Sequence, residues 1–220
     1  MSANVIAIDG PAASGKSTVA SHLARLLSIS YVNTGSMFRA VTYAVLERKV
    51  DYNDSEAMQK LLEDIKLEYS ADSAGNFSLS LDGKFLDAEL VTPEVNAAVS
   101  YVAAIPEVRE KLKKLQRSLA EKQRIVMEGR DIGSVVFPDA KWKFFVTASP
   151  EVRAKRRLDQ SKESYSSATL EKIAASIAER DRIDSQRPIA PLKQCEDAIL
   201  VDSSNMNVDE TVAFIAERII

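Results

Sequence analysis

The sequence predicts an α/β fold: five parallel strands in one sheet, flanked by helices, with a small antiparallel three-stranded insertion. Three observations carry this. Short, almost wholly apolar runs alternate with amphipathic stretches of helical period, the pattern of strands buried on both faces. Capping hydroxyls and first-turn prolines mark helix starts between those runs. One segment, Lys66 to Glu89, breaks the alternation and switches to a period of two.

In chain order, the first strand is Val5–Ile8, followed by the segment Gly10–Ser17 and a helix with Val19, Leu23, Leu26 and Leu27 on its apolar face. The second strand, Ser30–Val32, runs into a glycine turn, Asn33-Thr34-Gly35, that opens a helix. The Lys66–Glu89 segment reads as a meander: Leu67-Glu68-Tyr69, a turn at Asp72–Asn76, Phe77–Leu81, the hairpin pair Asp82-Gly83, and Lys84-Phe85-Leu86. It is expected to be an appendage lying over a substrate. Helices start at Thr92-Pro93-Glu94 and Pro106-Glu107. The third and fourth strands are Ile125–Met127 and Phe144–Val146, and Ser149-Pro150-Glu151 opens the next helix. A further helix spans about Ala168 to Arg187, and Ile199–Val201 is the last strand.

With 220 residues, 45% hydrophobic and 28% charged, the chain has the composition of one ordinary globular domain. A net charge of −3 supplies no global field for nucleic acid or an anionic membrane, so basic groups that bind phosphate must act locally. The single cysteine, Cys195, excludes an intramolecular disulfide and fits a reducing compartment. No window reaches the length of a membrane span, and Val5–Ile8 is too short for a signal-peptide core. A cytoplasmic protein with neither nucleic-acid nor membrane partners is expected.

Gly10-Pro11-Ala12-Ala13-Ser14-Gly15-Lys16-Ser17 fits G-x-x-x-x-G-K-[ST], between a strand and an amphipathic helix as that motif requires. Its glycines let backbone N–H groups wrap a triphosphate at a helix N-terminus. Lys16 is placed to reach the β- and γ-phosphates, and the Ser17 hydroxyl to ligate Mg²⁺. A guanine-nucleotide switch is the competing class. The N/T-K-x-D segment of such switches is absent, and Asp72-Ser73-Ala74-Gly75 matches D-x-x-G only where a turn already demands Asp and Gly.

Arginines recur at the carboxyl ends of the strands, the edge where open α/β sheets bind ligands. They include Arg39 after Asn33–Phe38, Arg130 within Glu128-Gly129-Arg130-Asp131-Ile132-Gly133, and the run Arg153-Ala154-Lys155-Arg156-Arg157. In the Ala168–Arg187 helix, Ile173, Ile177, Arg180, Asp184 and Arg187 share a face that is apolar at first and ionic at its end. Such a face demands partners, because unpaired buried charge is costly.

Taken together, these segments resemble the bacterial cytidylate (CMP) kinases of the nucleoside monophosphate kinase family. The resemblance rests on Ile6–Thr18, Thr34–Arg39, Glu128–Gly133 with Val136–Ala140, and Glu179-Arg180-Asp181 with Ala190-Pro191-Leu192, and it covers essentially the whole chain. It implies a P-loop nucleoside monophosphate kinase fold in one domain. The core would be residues 1–33, 105–152 and 166–220, the monophosphate-binding region 34–104, and a short lid 153–165. It implies transfer of a phosphoryl group from Mg²⁺-bound ATP to CMP or dCMP, in pyrimidine nucleotide metabolism, by a monomer.

Carried over residue by residue, the resemblance puts Gly10, Pro11, Ala12, Ala13, Ser14, Gly15, Lys16, Ser17 and Thr18 around ATP. Thr34, Arg39, Arg130 and Arg187 would hold the CMP phosphate; Ser100, Arg109 and Asp131 would read cytosine; Arg180 and Asp184 would meet the ribose. Arg153 and Arg157 would approach ATP from the lid, with ATP and solvent both open to Arg156. The loop Asp202 to Asn207 would line the adenine pocket, and Glu128 would lie behind the metal's water shell. Lys16, Arg130, Arg157 and Arg187 would carry catalysis. A kinase of the same fold acting on UMP or shikimate is the alternative enzyme, and a nucleotide-dependent binding protein without turnover the alternative from another class.

Overall fold

The computed structural model describes residues 4–71, 77–160 and 169–219. The predicted turn Asp72–Asn76 with its D-x-x-G match, residues 161–165 of the expected lid, and the predicted helix start at Ala168 lie outside the described residues.

The sheet is built from β1 (Val5–Asp9), β2 (Ser30–Asn33), β6 (Ile125–Gly129), β7 (Trp142–Thr147) and β8 (Ile199–Asp202), in the order β2-β6-β1-β7-β8. All four pairings are parallel, with Ile8 opposite Glu128 and Phe144. Each predicted strand is present and runs one or two residues past the carboxyl end of its apolar run, and β7 also starts two residues before it. These strand ends bring Asp9, Asn33 and Glu128 to one edge.

The near-continuous apolar character of β1 is explained by its two covered faces. Val5 and Ala7 pack into one cluster with Val32, Ile125 and Met127, beneath α2 (Thr34–Glu47), α3 (Ser55–Asp64) and α5 (Pro106–Lys122). Ile6 and Ile8 pack into the other with Phe144 and Val146, against Val19 and Leu23 of α1 (Lys16–Leu26) and Ile215 of α8 (Val208–Ala216). Each such fully buried large apolar side chain contributes about 1.5–3 kcal/mol. A third, smaller cluster joins Ala12 to Ala154 of α6 (Pro150–Gln160) and to Ile173 and Ile177 of α7 (Leu170–Gln186).

Start signals act as read at all three helices, Pro106 being the first residue of α5. Thr92 Oγ1 accepts from Val95 N at the head of α4 (Pro93–Val102), and Ser149 Oγ accepts from Val152 N at the head of α6. Ile105, preceding Pro106, offers no side-chain cap to α5. α7 stops at Gln186, one residue short of the predicted end, because Pro188 holds Arg187 in an extended conformation (ψ 142°).

The insertion is an antiparallel sheet of β3 (Leu67–Ala71), β4 (Phe77–Leu81) and β5 (Lys84–Phe85). Leu67, Leu79 and Leu81 bury into the α2–α3 cluster, and the Tyr69 hydroxyl donates to Asn33 O at 3.3 Å. Its apolar face is committed to this core, and the cleft described below is lined by Asp87, near the end of the Lys66–Glu89 segment, and by Leu90 and Val91, with none of the residues of β3, β4 or β5 among those on its wall.

Candidate active site

The loop after β1 carries the first half of the site. Gly10 is required by close approach, since a Cβ there would stand 2.0 Å from Val146 O. Ala13 (φ 58°) and Gly15 (φ 87°) are left-handed, an alternation that gathers successive N–H groups into an anion-binding concavity ahead of α1. Lys16 is buried and its Nζ donates to Pro11 O at 3.0 Å. Burial, reinforced by Arg130 and opposed by Glu128, pushes its pKa down to about 7. Ser17 Oγ donates to Glu128 Oε1 at 2.7 Å, and the Tyr31 hydroxyl reaches the same oxygen at 3.4 Å.

The second half lies where β6, α4, α5 and α7 converge. Thr34 Oγ1 donates to Glu128 O at 2.8 Å, so α2 starts against the end of β6. Arg130 Nε donates to Asp184 Oδ2 at 2.9 Å; burial alone would lower its pKa, but Asp184 and Glu128 raise it. Arg180 is pushed down to about 9 by burial and then by the like charges of Arg130 and Arg39. Arg187 is pushed down to about 10 by burial and Arg109. Arg180 Nε and one terminal nitrogen of Arg187 are buried without a hydrogen-bond partner. Cations packed at such cost, with donors unused, form a site for an anion.

Beside the cluster, Arg109 is buried, bonded to Asp131 Oδ2 and to Ala103 O (2.9 Å), and lies 5.3 Å from the centre of the Phe38 ring. Arg187 also approaches Asp131 Oδ1 at 3.7 Å. One cleft of about 390 Å³ contains both halves, with Ser17, Arg39, Arg130, Arg157, Arg180 and Arg187 on its walls.

A sequence profile of the cytidylate kinase family matches residues 6–220. The chain belongs to that family. A cytidylate kinase of Clostridium botulinum (strain Loch Maree) is 45% identical over 207 residues, covering 94% of this chain and 93% of its own. One of Pelotomaculum thermopropionicum is 43% identical over 214 residues, covering 97% and 95%. An uncharacterized protein from Eubacterium ventriosum, 14% identical, shares the fold over 98% of this chain and 97% of its own, with a TM-score of 0.56. As a cytidylate kinase family member, the protein is a phosphotransferase of the nucleoside monophosphate kinase class.

Of the residues singled out in the sequence, Ala12 through Thr18, Thr34, Arg39, Ser100, Arg109, Glu128, Arg130, Asp131, Arg157, Arg180, Asp184 and Arg187 all line this cleft. Gly10 and Pro11, the buried start of the loop, are not among the lining residues. Arg153 turns away: it bonds Asp181, Ala12 O (3.1 Å) and Ala148 O (3.2 Å). Arg156 lies on the loop backbone, bonding Ser14 O and the Ser203 hydroxyl. The Asp202–Asn207 segment adjoins the loop from behind through Ser203 and is not part of the cleft wall.

Sequence reasoning gave no role to Asp9 or Asp181. Asp9 is buried and accepts from Ile132 N (2.8 Å) and Gly133 N (2.7 Å), tying the start of the phosphate loop to the turn that carries Arg130 and Asp131. Burial pushes its pKa up to about 7, against those two N–H groups. A carboxylate ending an apolar strand was the available signal.

Proposed function

We propose that this protein transfers the γ-phosphoryl group of Mg²⁺-bound ATP to CMP and dCMP. The observation that carries the reading is one cleft holding a P-loop on one wall and a buried arginine cluster with unused donors on the other, beside a paired Asp131 and Arg109. ATP lies along the P-loop, the acceptor phosphate is held by Thr34, Arg39, Arg130 and Arg187, and the cytosine meets Ser100, Arg109 and Asp131. Arg180 and Asp184 meet the ribose. Residues 34–104 bind the monophosphate and 153–165 act as the lid of a monomeric cytoplasmic enzyme of pyrimidine nucleotide metabolism.

No general base is needed, because the nucleophile is a phosphate oxygen already ionised near neutral pH. The chain's task is to align two anions and neutralise charge spreading over the transferring group. Lys16, Arg130, Arg157 and Arg187 do this. The hard oxygens of Ser17 and Glu128 fit Mg²⁺, and no three metal-ligating side chains cluster among the described residues, as suits an ion carried chiefly by phosphates. Ser17, with Glu128 behind it, would hold the ion, which would supply positive charge against the triphosphate. A coupled ADP-release assay over CMP, dCMP, UMP and small alcohols tests the reading. CMP and dCMP are expected to be the preferred acceptors; turnover confined to another acceptor, or none, overturns it.

The depressed Lys16 pKa gives a binding signature. At pH 8 the free protein carries Lys16 mostly neutral, and a bound diphosphate restores its proton. Calorimetric titration with Mg-ADP in buffers of different ionisation enthalpy is expected to show uptake of most of one proton. The uptake should vanish in Lys16→Arg.

Asp184 is buried, and its pKa is lowered because Arg130, Arg180 and Arg187 outweigh the effect of burial. Asp184→Ala is expected to impair both substrates by releasing Arg130, and CMP further than dCMP. The lost ribose hydrogen bond to a charged acceptor is worth about 1.5–3 kcal/mol. Equal losses in kcat/KM would leave Asp184 with Arg130 alone.

A further inference from the structure

We infer that Arg153, Arg156 and Asp181 form a backbone brace holding the phosphate loop in its anion-binding shape. On this assignment Arg153 and Arg156 are positioning residues, and Arg157 is the arginine of the three that lines the cleft. The inference rests on the triphosphate reading of that loop.

The brace follows from the conformation of Ala13. Its φ of 58° is left-handed, a region that a residue with a β-carbon occupies only when its surroundings hold it there. The residues on both sides of Ala13 are held through their backbone. On one side, Ala12 N donates to Asp181 Oδ1 at 2.9 Å, while Ala12 O accepts from Arg153 at 3.1 Å. Arg153 closes that ring by its ion pair with the other Asp181 oxygen, and its Nε donates to Ala148 O at 3.2 Å. On the other side, Ser14 O accepts from Arg156 at 3.0 Å, and the same guanidinium donates to Ser203 Oγ (2.9 Å) and Ser203 O (2.8 Å).

Helical spacing makes this division possible. Arg153 and Arg156 are three apart on α6 and reach the loop together, one to each side of Ala13. Arg156 crosses above Gly15, its terminal nitrogen 3.3 Å from where a Cβ would stand, so the glycine also makes room for the brace. The Ala12 N–H is consumed by a carboxylate, leaving the later N–H groups of the loop for phosphate. Asp181 adjoins Arg180, so the brace also fixes the loop to the helix carrying the acceptor-side arginine.

Two measurements on the full chain test the assignment. Amide hydrogen exchange over residues 10–17 of the ligand-free protein is expected to rise about tenfold in Arg153→Ala and in Asp181→Ala, and no further in the double variant. Unchanged exchange in either single variant overturns the brace. Calorimetric titration with Mg-ADP is expected to show about tenfold weaker binding in each single variant, with the double variant no weaker than the worse single. Adding Ala13→Gly should restore several-fold of that loss, because glycine takes the left-handed conformation without help. A direct nucleotide contact by Arg153 predicts the opposite: normal binding in Asp181→Ala and no rescue by glycine. Should Arg153→Ala or Asp181→Ala fail to fold, Arg153→Lys and Asp181→Asn are held to the same criteria at reduced size. Failure of the wild type to bind Mg-ADP would refute the triphosphate reading, and the exchange measurement would still decide the brace.

Discussion

Lys16→Ala is expected to lower kcat by about 10²–10³-fold, the range for removing one pre-positioned donor from a developing anion, while barely changing KM for CMP. The ammonium is buried and held by Pro11 O at 3.0 Å, so its position is fixed before nucleotide arrives. It is also poorly stabilised in the free protein: burial and Arg130 bring its pKa to about 7. A triphosphate supplies the missing counter-charge, and the demand for it peaks as charge spreads over the transferring group. On the proposed reading CMP lies on the opposite wall and Lys16 makes no hydrogen bond to the groups there, so its affinity is expected to survive. The variant also removes a buried cation from among Arg130 and Arg180, which leaves folding a secondary concern. Single-turnover and steady-state rates over CMP concentration check this. Near-normal kcat would remove the P-loop from the chemistry, and a large rise in KM for CMP with unchanged kcat would move Lys16 to the acceptor side.

The parts of this molecule that were legible in sequence are those governed by local period and short motifs. Val5–Ile8 announces a doubly covered strand because both faces need apolar residues, and the two clusters that Val5/Ala7 and Ile6/Ile8 enter are the physical reason. The ionic end of α7 was legible because Arg180 and Asp184 are four apart, whatever they meet in space. What the sequence could not reveal were contacts between side chains and distant backbone. Asp181 binds Ala12, 169 positions away, and Arg156 binds Ser14, 142 positions away; neither partner is marked by any pattern. Arg153, Arg156 and Arg157 look alike in a basic run, yet two of them lie on the loop and one lines the cleft. The meander was recognised from alternation, but alternation does not say which body its apolar face covers.

Asp131→Ala is expected to reduce kcat/KM for CMP substantially, to change UMP little, and so to shrink the ratio between them about tenfold or more. Asp131 ends β6's turn with one carboxylate oxygen on Arg109 and the other 3.7 Å from Arg187. Arg109 is itself fixed by Ala103 O at 2.9 Å and by the Phe38 ring, so the pair presents an acceptor and a donor in set positions. Cytosine offers an N4 amino donor and acceptors at N3 and O2, which match. Uracil presents O4 lone pairs to the carboxylate and an N3–H to the guanidinium, which repel. Removing the carboxylate therefore withdraws an attraction for one base and a repulsion for the other. Because Asp131 and Arg109 are both buried, breaking their pair is expected to cost about 3–5 kcal/mol of stability. The ratio of the two substrates on one preparation is unaffected by how much of it is folded, which is why it is the quantity to measure. Asp131→Asn is the companion variant: its amide keeps the shape and can turn either its oxygen or its NH₂ toward the base, so discrimination should fall with less loss of stability. A CMP to UMP ratio unchanged in both variants would shift base selection to Ser100 and Arg109.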